Sequence, residues 1–237
     1  MRILDLFDKE TIDKKFHIGW GLSFLIDNSI LFDTGEKGDW LIANMRKLRI
    51  NLDTLEAVVI SHDHWDHTGG LWDILKLKKG MKVYGCTNFS KEFKDKVAKL
   101  QGELILADRF VEIAKDIFIT GEIPGAYNDK YMPEQAVVLK TRKGLIIITG
   151  CAHPGILKII EKVKTKFLKE PVNLVLGGFH LLDADKRAIE LIGINLQKKG
   201  VIKVGPTHCS GEAAAEILKK QYGKNFIPIK TGQRIKI

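Results

Sequence analysis

Short apolar runs alternate with amphipathic stretches along the whole chain, and polar or glycine-containing turns separate them. Residues 57–60 (Ala-Val-Val-Ile) predict a buried strand, and residues 173–176 predict another. The apolar residues between Ile156 and Phe167 recur at helical spacing and predict an amphipathic helix. Because apolar strand runs and helical spacing both occur along the chain, the sequence indicates an α/β protein.

The order of the predicted elements differs between the two halves of the chain. A hairpin is expected around Asp27 and Asn28, and residues 103–149 have mostly strand character. After Gly150, strands and helices alternate. Since each half contributes strands and helices, we expect two sheets faced by helices, a four-layer αββα sandwich, in a single domain of residues 1–237. Helices are predicted over residues 38–48, 90–100, 188–196 and 211–221, with a short one from Gly70.

A ligand-rich segment directly follows the strand 57–60. Residues 61–70 read Ser-His-Asp-His-Trp-Asp-His-Thr-Gly-Gly. In extended backbone, residues two apart point the same way, so the first two histidines share one direction and the later pair can aim at a second point. Imidazole nitrogen and carboxylate oxygen suit Zn²⁺ or Fe²⁺, and the spacing suits two adjacent cations better than one. The four candidate ligands are His62, His64, Asp66 and His67.

Three further histidines occupy matched positions, each between a predicted strand and a predicted helix. They are His153, His180 and His208, whereas His17 lies outside the pattern. In α/β proteins the carboxyl ends of strands meet at one edge, where sites are built. A single histidine of this kind is more often structural. Three of them together with the 61–70 segment favour a metal centre.

Several neighbouring side chains allow two interpretations. Asp33 either forms the turn before a glycine or is the carboxylate that holds a ligand histidine in one tautomer. A cysteine here is either a thiolate ligand or a buried inert thiol, and we favour the ligand for Cys151 and the inert thiol for Cys209. Glu122 and Glu134 either approach the metals or lie at the surface.

Composition sets the class of protein and its surroundings. The 237 residues are 45% hydrophobic and 28% charged, an ordinary globular profile. No apolar run reaches the roughly 18 residues that span a bilayer, and the early acid Asp5 argues against a secretory signal. Three scattered cysteines provide no disulfide framework. We therefore expect a cytoplasmic protein that is not bound to a membrane.

The net charge of +9 fits a nucleic acid or an anionic metabolite as the partner, and it also fits lysines on solvated helix faces. The lysines are spread over predicted helix faces and are not interleaved with aromatic residues, so most of them belong to solvated faces. We expect a small anionic substrate and no specific nucleic acid. The sequence does not indicate an oligomeric state.

Several segments resemble the metallo-β-lactamase superfamily. Residues 31–35 (Leu-Phe-Asp-Thr-Gly) match its first motif, and residues 61–71 match its second. Residues 150–155, 177–181 and 206–211 are similar to the later motifs of one branch. That branch consists of metal-dependent hydrolases and also contains an archaeal dihydropterin synthase. The resemblance covers nearly the whole chain and implies the αββα fold with a metal site at one edge.

Two departures from the family pattern concern the ligands. Typical members have a histidine in a separate third motif and an aspartate that bridges both metals. Here no histidine occurs between His67 and His153, and Cys151 stands where the aspartate is expected. Either Cys151 takes the bridging place, or His153 does, or solvent bridges alone.

The resemblance implies two divalent ions, zinc or alternatively iron or manganese. Asp66 is assigned a second role, carrying a proton to the leaving group, and His180 is a ligand or a substrate contact. Cys151 is a further candidate ligand. One ion is assigned His62, His64 and His153, and the other Asp66, His67 and His208.

The implied activity is that of a metal-dependent hydrolase, which uses a metal-activated hydroxide on a small anionic substrate. The alternative is a transferase that joins a dihydropterin diphosphate to an aminobenzene riboside phosphate. A metal-dependent nuclease ranks third, because such nucleases usually carry an extra domain for the polymer. A transferase would need a pocket whose apolar or aromatic wall holds the flat pterin ring. The candidates for that wall are Trp65, Tyr127, Tyr131 and Phe179, and the alternative is that all four are ordinary core or surface residues.

Overall fold

Two main sheets, each with its own helices, organise the chain in a computed structural model that describes residues 1–235. Met1–Ala107 and the segment from Ile229 form one unit, and Asp108–Pro228 forms the other. The predicted α/β class is confirmed. The single domain over residues 1–237 stays a prediction, and the last two residues lie outside the described part.

The described residues form fifteen strands and seven α-helices. The strands are β1 (Ile3–Phe7), β2 (Ser23–Ile26), β3 (Ile30–Phe32), β4 (Ala57–Val59), β5 (Lys82–Cys86), β6 (Glu103–Ala107), β7 (Val111–Ala114), β8 (Ile117–Ile119), β9 (Ala126–Tyr127), β10 (Lys130–Tyr131), β11 (Val137–Thr141), β12 (Gly144–Thr149), β13 (Val172–Gly178), β14 (Val201–Thr207) and β15 (Arg234–Ile235). The helices are α1 (Gly38–Lys47), α2 (Trp65–Thr68), α3 (Leu71–Leu77), α4 (Lys91–Lys99), α5 (Ile156–Lys166), α6 (Lys186–Lys198) and α7 (Glu212–Tyr222).

The sheet of the first unit has the order β15-β1-β2-β3-β4-β5-β6. The hairpin between β2 and β3 turns at Asp27 and Asn28, whose φ angles are 46° and 64°. Two left-handed residues in succession are typical of a type I′ turn, so the predicted hairpin is confirmed. From β3 to β6 the strands run parallel. Strands β3 and β4 therefore end at the same edge, where Asp33 and the segment 61–67 begin.

The sheet of the second unit has the order β14-β13-β12-β11-β8-β7. Strands β12, β13 and β14 run parallel, and α5, α6 and α7 follow them in turn. His153, His180 and His208 each follow one of these strands and precede a helix, as predicted. Because the carboxyl ends of parallel strands lie at one edge, the three histidines lie at that edge of the sheet.

The predicted helix stripes form the core of the second unit. Ile156, Ile159 and Val163 of α5 are buried together with Ile189 and Leu196 of α6. Each such side chain contributes about 1.5–3 kcal/mol when it leaves water. Phe179 belongs to the same cluster and is only 2% exposed. Its interpretation as a pocket wall is therefore wrong, because the ring packs into the core.

Within the described residues, every helix is too short or too polar to cross a membrane.

The sequence pattern did not predict strand β1, because a charged residue, Asp5, interrupts its apolar residues. The Asp5 side chain is fully buried. Burial raises the pKa of this carboxyl well above its usual value, the charge of Asp8 raises it further, and the backbone N–H of Phe7 lowers it in part. The unfolded chain lacks this burial, so Asp5 makes stability dependent on pH.

We expect Asp5→Asn to increase the free energy of unfolding at pH 7 by about 1 kcal/mol or more. The folded protein holds the Asp5 proton more tightly than the unfolded chain. Its stabilising contribution is therefore complete below the usual pKa of 3.8 and is lost as the pH rises through the folded pKa. Urea unfolding of the variant and the wild type between pH 4 and 8 measures the difference. The exposed control Asp53→Asn should change little, and equal stabilities of wild type and Asp5→Asn would contradict the prediction.

Candidate metal centre

The ligand candidates of the first unit lie on the loop and short helix that follow β4. His62, Asp66 and His67 are buried, and His64 is partly exposed. The ring centroid of His62 lies 4.8 Å from that of His64 and 4.1 Å from that of His67. Nε2 of His67 lies 3.4 Å from Oδ2 of Asp66. The segment thus brings its four donor groups together.

A buried carboxylate behind this segment orients two of its histidines. Asp33 Oδ1 accepts a hydrogen bond from the Ser61 backbone N–H (2.7 Å), and Oδ2 accepts from Ser61 Oγ and from Nδ1 of His67 (both 2.7 Å). Ser61 Oγ also lies 2.9 Å from Nδ1 of His62. A proton held at Nδ1 leaves Nε2 as the donor atom for a cation. The sequence indicated this role as one of two for Asp33 but not the part of Ser61.

The charge around His67 favours a cation at this point. Burial acts to lower the pKa of His67, but the carboxylates of Asp33 and Asp66 raise it well above its ordinary value. These two carboxylates thus favour positive charge at the His67 ring. A divalent cation at Nε2 would supply that charge with the imidazole neutral, as a ligating imidazole is.

A second set of ligand candidates lies at the strand ends of the second unit. The donor atoms of Cys151, His153 and His180 lie within 4.8 Å of one another, and so do those of Cys151, His208 and Cys209. Ligands of a tetrahedral zinc ion are roughly 3.4–3.8 Å apart, so both groups are near ligand spacing. Thiolate and imidazole donors suit zinc or iron. The residues present therefore fit a transition-metal ion.

Glu134 fixes the loop that carries two of these candidates. Its Oε1 accepts backbone hydrogen bonds from Gly150 (3.1 Å), Cys151 (3.0 Å) and Ala152 (2.8 Å), and its Oε2 accepts one from His153 (2.8 Å). Glu134 is fully buried, so its interpretation as a surface carboxylate is wrong. The other glutamate, Glu122, accepts a hydrogen bond from the Tyr131 hydroxyl (2.6 Å).

Backbone strain accompanies the candidate residues of both units. Asp33, Ala152, His180 and His208 have φ angles of 53°, 63°, 54° and 51°. A residue other than glycine in this left-handed region costs about 1 kcal/mol or more and persists only where its surroundings hold it. The hydrogen bonds of Asp33 and Glu134 supply such surroundings for the loops on which they act.

The sequence favoured an inert thiol in apolar surroundings for Cys209, whereas the structure places polar groups around it. Its Sγ lies 3.5 Å from the carbonyl oxygen of Cys151. Burial acts to raise the pKa of the Cys209 thiol, but hydrogen bonds to Cys151 and His180 and the charge of His208 bring it well below its ordinary value. The hydrogen bond to Cys209 in turn raises the pKa of His180. These are not the apolar surroundings of an inert thiol.

The remaining aromatic candidates are exposed, and His17 contacts a tryptophan. Trp65 on α2 and the tyrosines at 127 and 131 are among the exposed large side chains. His17 stacks on Trp40 with ring centroids 5.6 Å apart.

Comparison with known proteins identifies the family. Residues 21–183 match the family model of the metallo-beta-lactamase superfamily. The chain belongs to this superfamily. The metallo-β-lactamase fold predicted from the motifs is thereby confirmed.

Two known proteins resemble the chain over nearly its full length. Tm1679, described as a metal-dependent hydrolase of the β-lactamase superfamily, has a TM-score of 0.84 and 31% identity, covering 100% of this chain and 99% of that one. A 7,8-dihydropterin-6-methyl-4-(beta-D-ribofuranosyl)-aminobenzene-5'-phosphate synthase of Methanocaldococcus jannaschii is 31% identical, covering 91% of this chain and 89% of the synthase. YhfI of Bacillus subtilis, at 14% identity and a TM-score of 0.70 over 99% of this chain and 98% of its own, shares the fold.

We expect Glu134→Gln to destabilise the protein and to reduce its metal content. The amide replaces one accepting oxygen with an NH₂ group that opposes a backbone N–H. The loss of this buried hydrogen bond should lower the free energy of unfolding by about 2 kcal/mol or more. Glu122→Gln is the matched control and should change stability by less than about 1 kcal/mol. Chemical unfolding and elemental analysis check both variants, and wild-type values for Glu134→Gln would show that the loop does not need this carboxylate.

Proposed function

We propose that the protein is a metal-dependent hydrolase that cleaves a small anionic substrate with water as the acceptor. The observation that carries the proposal is the Asp33 arrangement. One buried carboxylate orients His67 directly and His62 through Ser61, and it leaves Nε2 of His67 beside the carboxylate of Asp66 at 3.4 Å. Such an arrangement is typical of metal sites, in which a carboxylate fixes the tautomer of the ligating histidine.

The proposed cofactor is two divalent ions, zinc or alternatively iron or manganese. When bound, such ions lower the pKa of water toward about 7 and polarise a carbonyl or phosphoryl oxygen. Imidazole and carboxylate donors alone also suit other divalent metals, whereas the thiolate favours zinc or iron. The proposed ligands are His62, His64, Asp66 and His67 of the first unit and Cys151, His153 and His208 of the second.

Asp66 and His180 are proposed to act on the substrate and its proton. The Asp66 carboxylate next to His67 can pass a proton to the leaving group. His180 is exposed and its ring centroid lies 4.6 Å from that of His153, so it can contact the substrate. The net charge of +9 favours an anionic substrate. A cytoplasmic location and the lack of specific binding to nucleic acids complete the proposal.

The second candidate function is a transferase with an aryl amine as the acceptor. The Methanocaldococcus jannaschii synthase favours it, because 31% identity extends over 91% of this chain. Both substrates of that reaction are anionic, which suits the same net charge. The two candidates need the same metal ligands and differ in the acceptor.

We expect the purified protein to bind up to two equivalents of zinc, iron or manganese, and His64→Ala to lose most of one equivalent. The variant removes one imidazole from the first ligand set. Elemental analysis of both proteins makes the measurement. His17→Ala is the matched control, since His17 lies outside both sets, and it should keep wild-type content. Wild-type metal content in His64→Ala would contradict the ligand assignment.

The two candidate functions predict different products from dihydropterin diphosphate. Given this compound with and without the aminobenzene riboside phosphate, a hydrolase releases the alcohol in both cases. A transferase forms a coupled product only when the amine is present. Chelator and His62→Ala should abolish either activity, because both need the metals. Amine-dependent coupling with little water-derived product would replace our leading proposal with the second.

A further inference from the structure

Two tyrosines lie on a small hairpin of the second unit, residues 126–131, which we name the tyrosine hairpin. Strands β9 and β10 pair antiparallel, with Tyr127 opposite Lys130 and Tyr131 opposite Ala126. The two residues between the strands, Asn128 and Asp129, have φ angles of 49° and 59°. Successive left-handed residues form a type I′ turn, which matches the twist of the strands. The hairpin therefore presents its side chains from an ordered backbone.

Tyr127 contacts two histidines of the second ligand set. Its ring centroid lies 5.2 Å from that of His153 and 5.9 Å from that of His180, with interplanar angles of 65° and 80°. The side chain is nevertheless 41% exposed. An edge-on contact of this kind fixes the ring and leaves part of its surface open to a ligand.

The second ring of the hairpin is also held in place while exposed. Tyr131 is 52% exposed, and its hydroxyl donates a hydrogen bond to Oε1 of Glu122 (2.6 Å). Tyr131 pairs with Ala126, so its side chain lies on the face of the hairpin opposite to that of Tyr127. The hydrogen bond to Glu122 therefore holds the hairpin in place, and Tyr127 alone presents its ring beside the histidines. A tyrosine has only two side-chain torsions, so this ring loses little entropy when it contacts a ligand.

The base of the hairpin packs closely on the loop that carries His153. Met132 N–H donates to the carbonyl oxygen of Gly125 (3.0 Å) and closes the base. A Cβ atom at Gly125 would lie 2.8 Å from the backbone nitrogen of Pro154, so only glycine allows this approach. The position of Tyr127 is thus coupled to the position of His153.

We propose that the tyrosine hairpin binds a planar aromatic or heteroaromatic ring of the substrate, and that Tyr127 determines specificity for that ring by stacking. The inference rests on the proposed function, because it places the reacting group of the same substrate at His153 and His180. Stacking on an aromatic side chain does not need a particular pattern of donors and acceptors. The hairpin therefore selects for a flat ring, and other groups of the site select the anionic part.

Binding measurements on the metal-loaded protein test the inference. The probes are 6-hydroxymethylpterin and 4-aminobenzoate, which carry rings, and ribose 5-phosphate, which carries an anionic group without an aromatic ring. By isothermal titration, Tyr127→Ala should weaken binding of at least one ring probe about tenfold, and Tyr127→Phe should stay within about twofold, because stacking does not need the hydroxyl. Ribose 5-phosphate should bind equally to all three proteins. Leu168→Ala, in the same unit and 75% exposed, is the control and should bind like the wild type.

Two outcomes overturn the inference. One is equal binding of both ring probes by Tyr127→Ala and the wild type, and the other is no binding of either ring probe by the wild type. A loss of ribose 5-phosphate binding in Tyr127→Ala also counts against it, since the effect is then not specific to the ring. Chelator-sensitive turnover of the wild type is measured separately and decides the proposed function, so the two can fail independently.

Discussion

The hydrogen bonds that the buried carboxylate of Asp33 accepts are the constraint on which the first ligand set depends. A buried charge is costly unless donors surround it, and here Ser61 and His67 supply them. The same bonds fix Nδ1 of His67 and, through Ser61, Nδ1 of His62. One interaction therefore stabilises the buried carboxylate and prepares two imidazoles for a cation. The backbone strain at Asp33 shows how tightly the position is held.

In the second unit, Glu134 is likewise a buried carboxylate that is stabilised by hydrogen bonds, but here the donors are backbone N–H groups. Its two oxygens accept four backbone N–H groups in succession, from Gly150 to His153. These donors neutralise the buried charge and set the course of the loop, including the left-handed Ala152. In each unit a buried carboxylate thus holds a strand-to-helix connection in the course that presents the candidate metal ligands. The two carboxylates serve as supports for the ligand loops.

The surroundings of the thiols and tyrosines give this superfamily member its individual features. Cys151 stands where the family pattern has a bridging aspartate, and Cys209 shares its surroundings. A thiolate is a softer ligand than a carboxylate, which narrows the range of suitable metals. Tyr127 contacts the histidines on the exposed side. The proposed metal preference and the proposed substrate preference of the second unit therefore rest on different groups of residues.

The sequence alone determined the family, most strands and helices, and the ligand-rich loops, because periodicity and motif spacing are local properties. Strand β1 was not predicted, because the charged Asp5 interrupts its apolar pattern. The burial of this side chain is a property of the tertiary structure. The partners of Asp33 and Glu134 lie up to 34 and 19 residues away, so no local pattern indicates which donors surround each carboxylate. Phe179 and Tyr127 are both aromatic residues near a motif, yet one packs in the core and the other is exposed. That distinction was decided by tertiary packing, because burial depends on which elements cover a side chain.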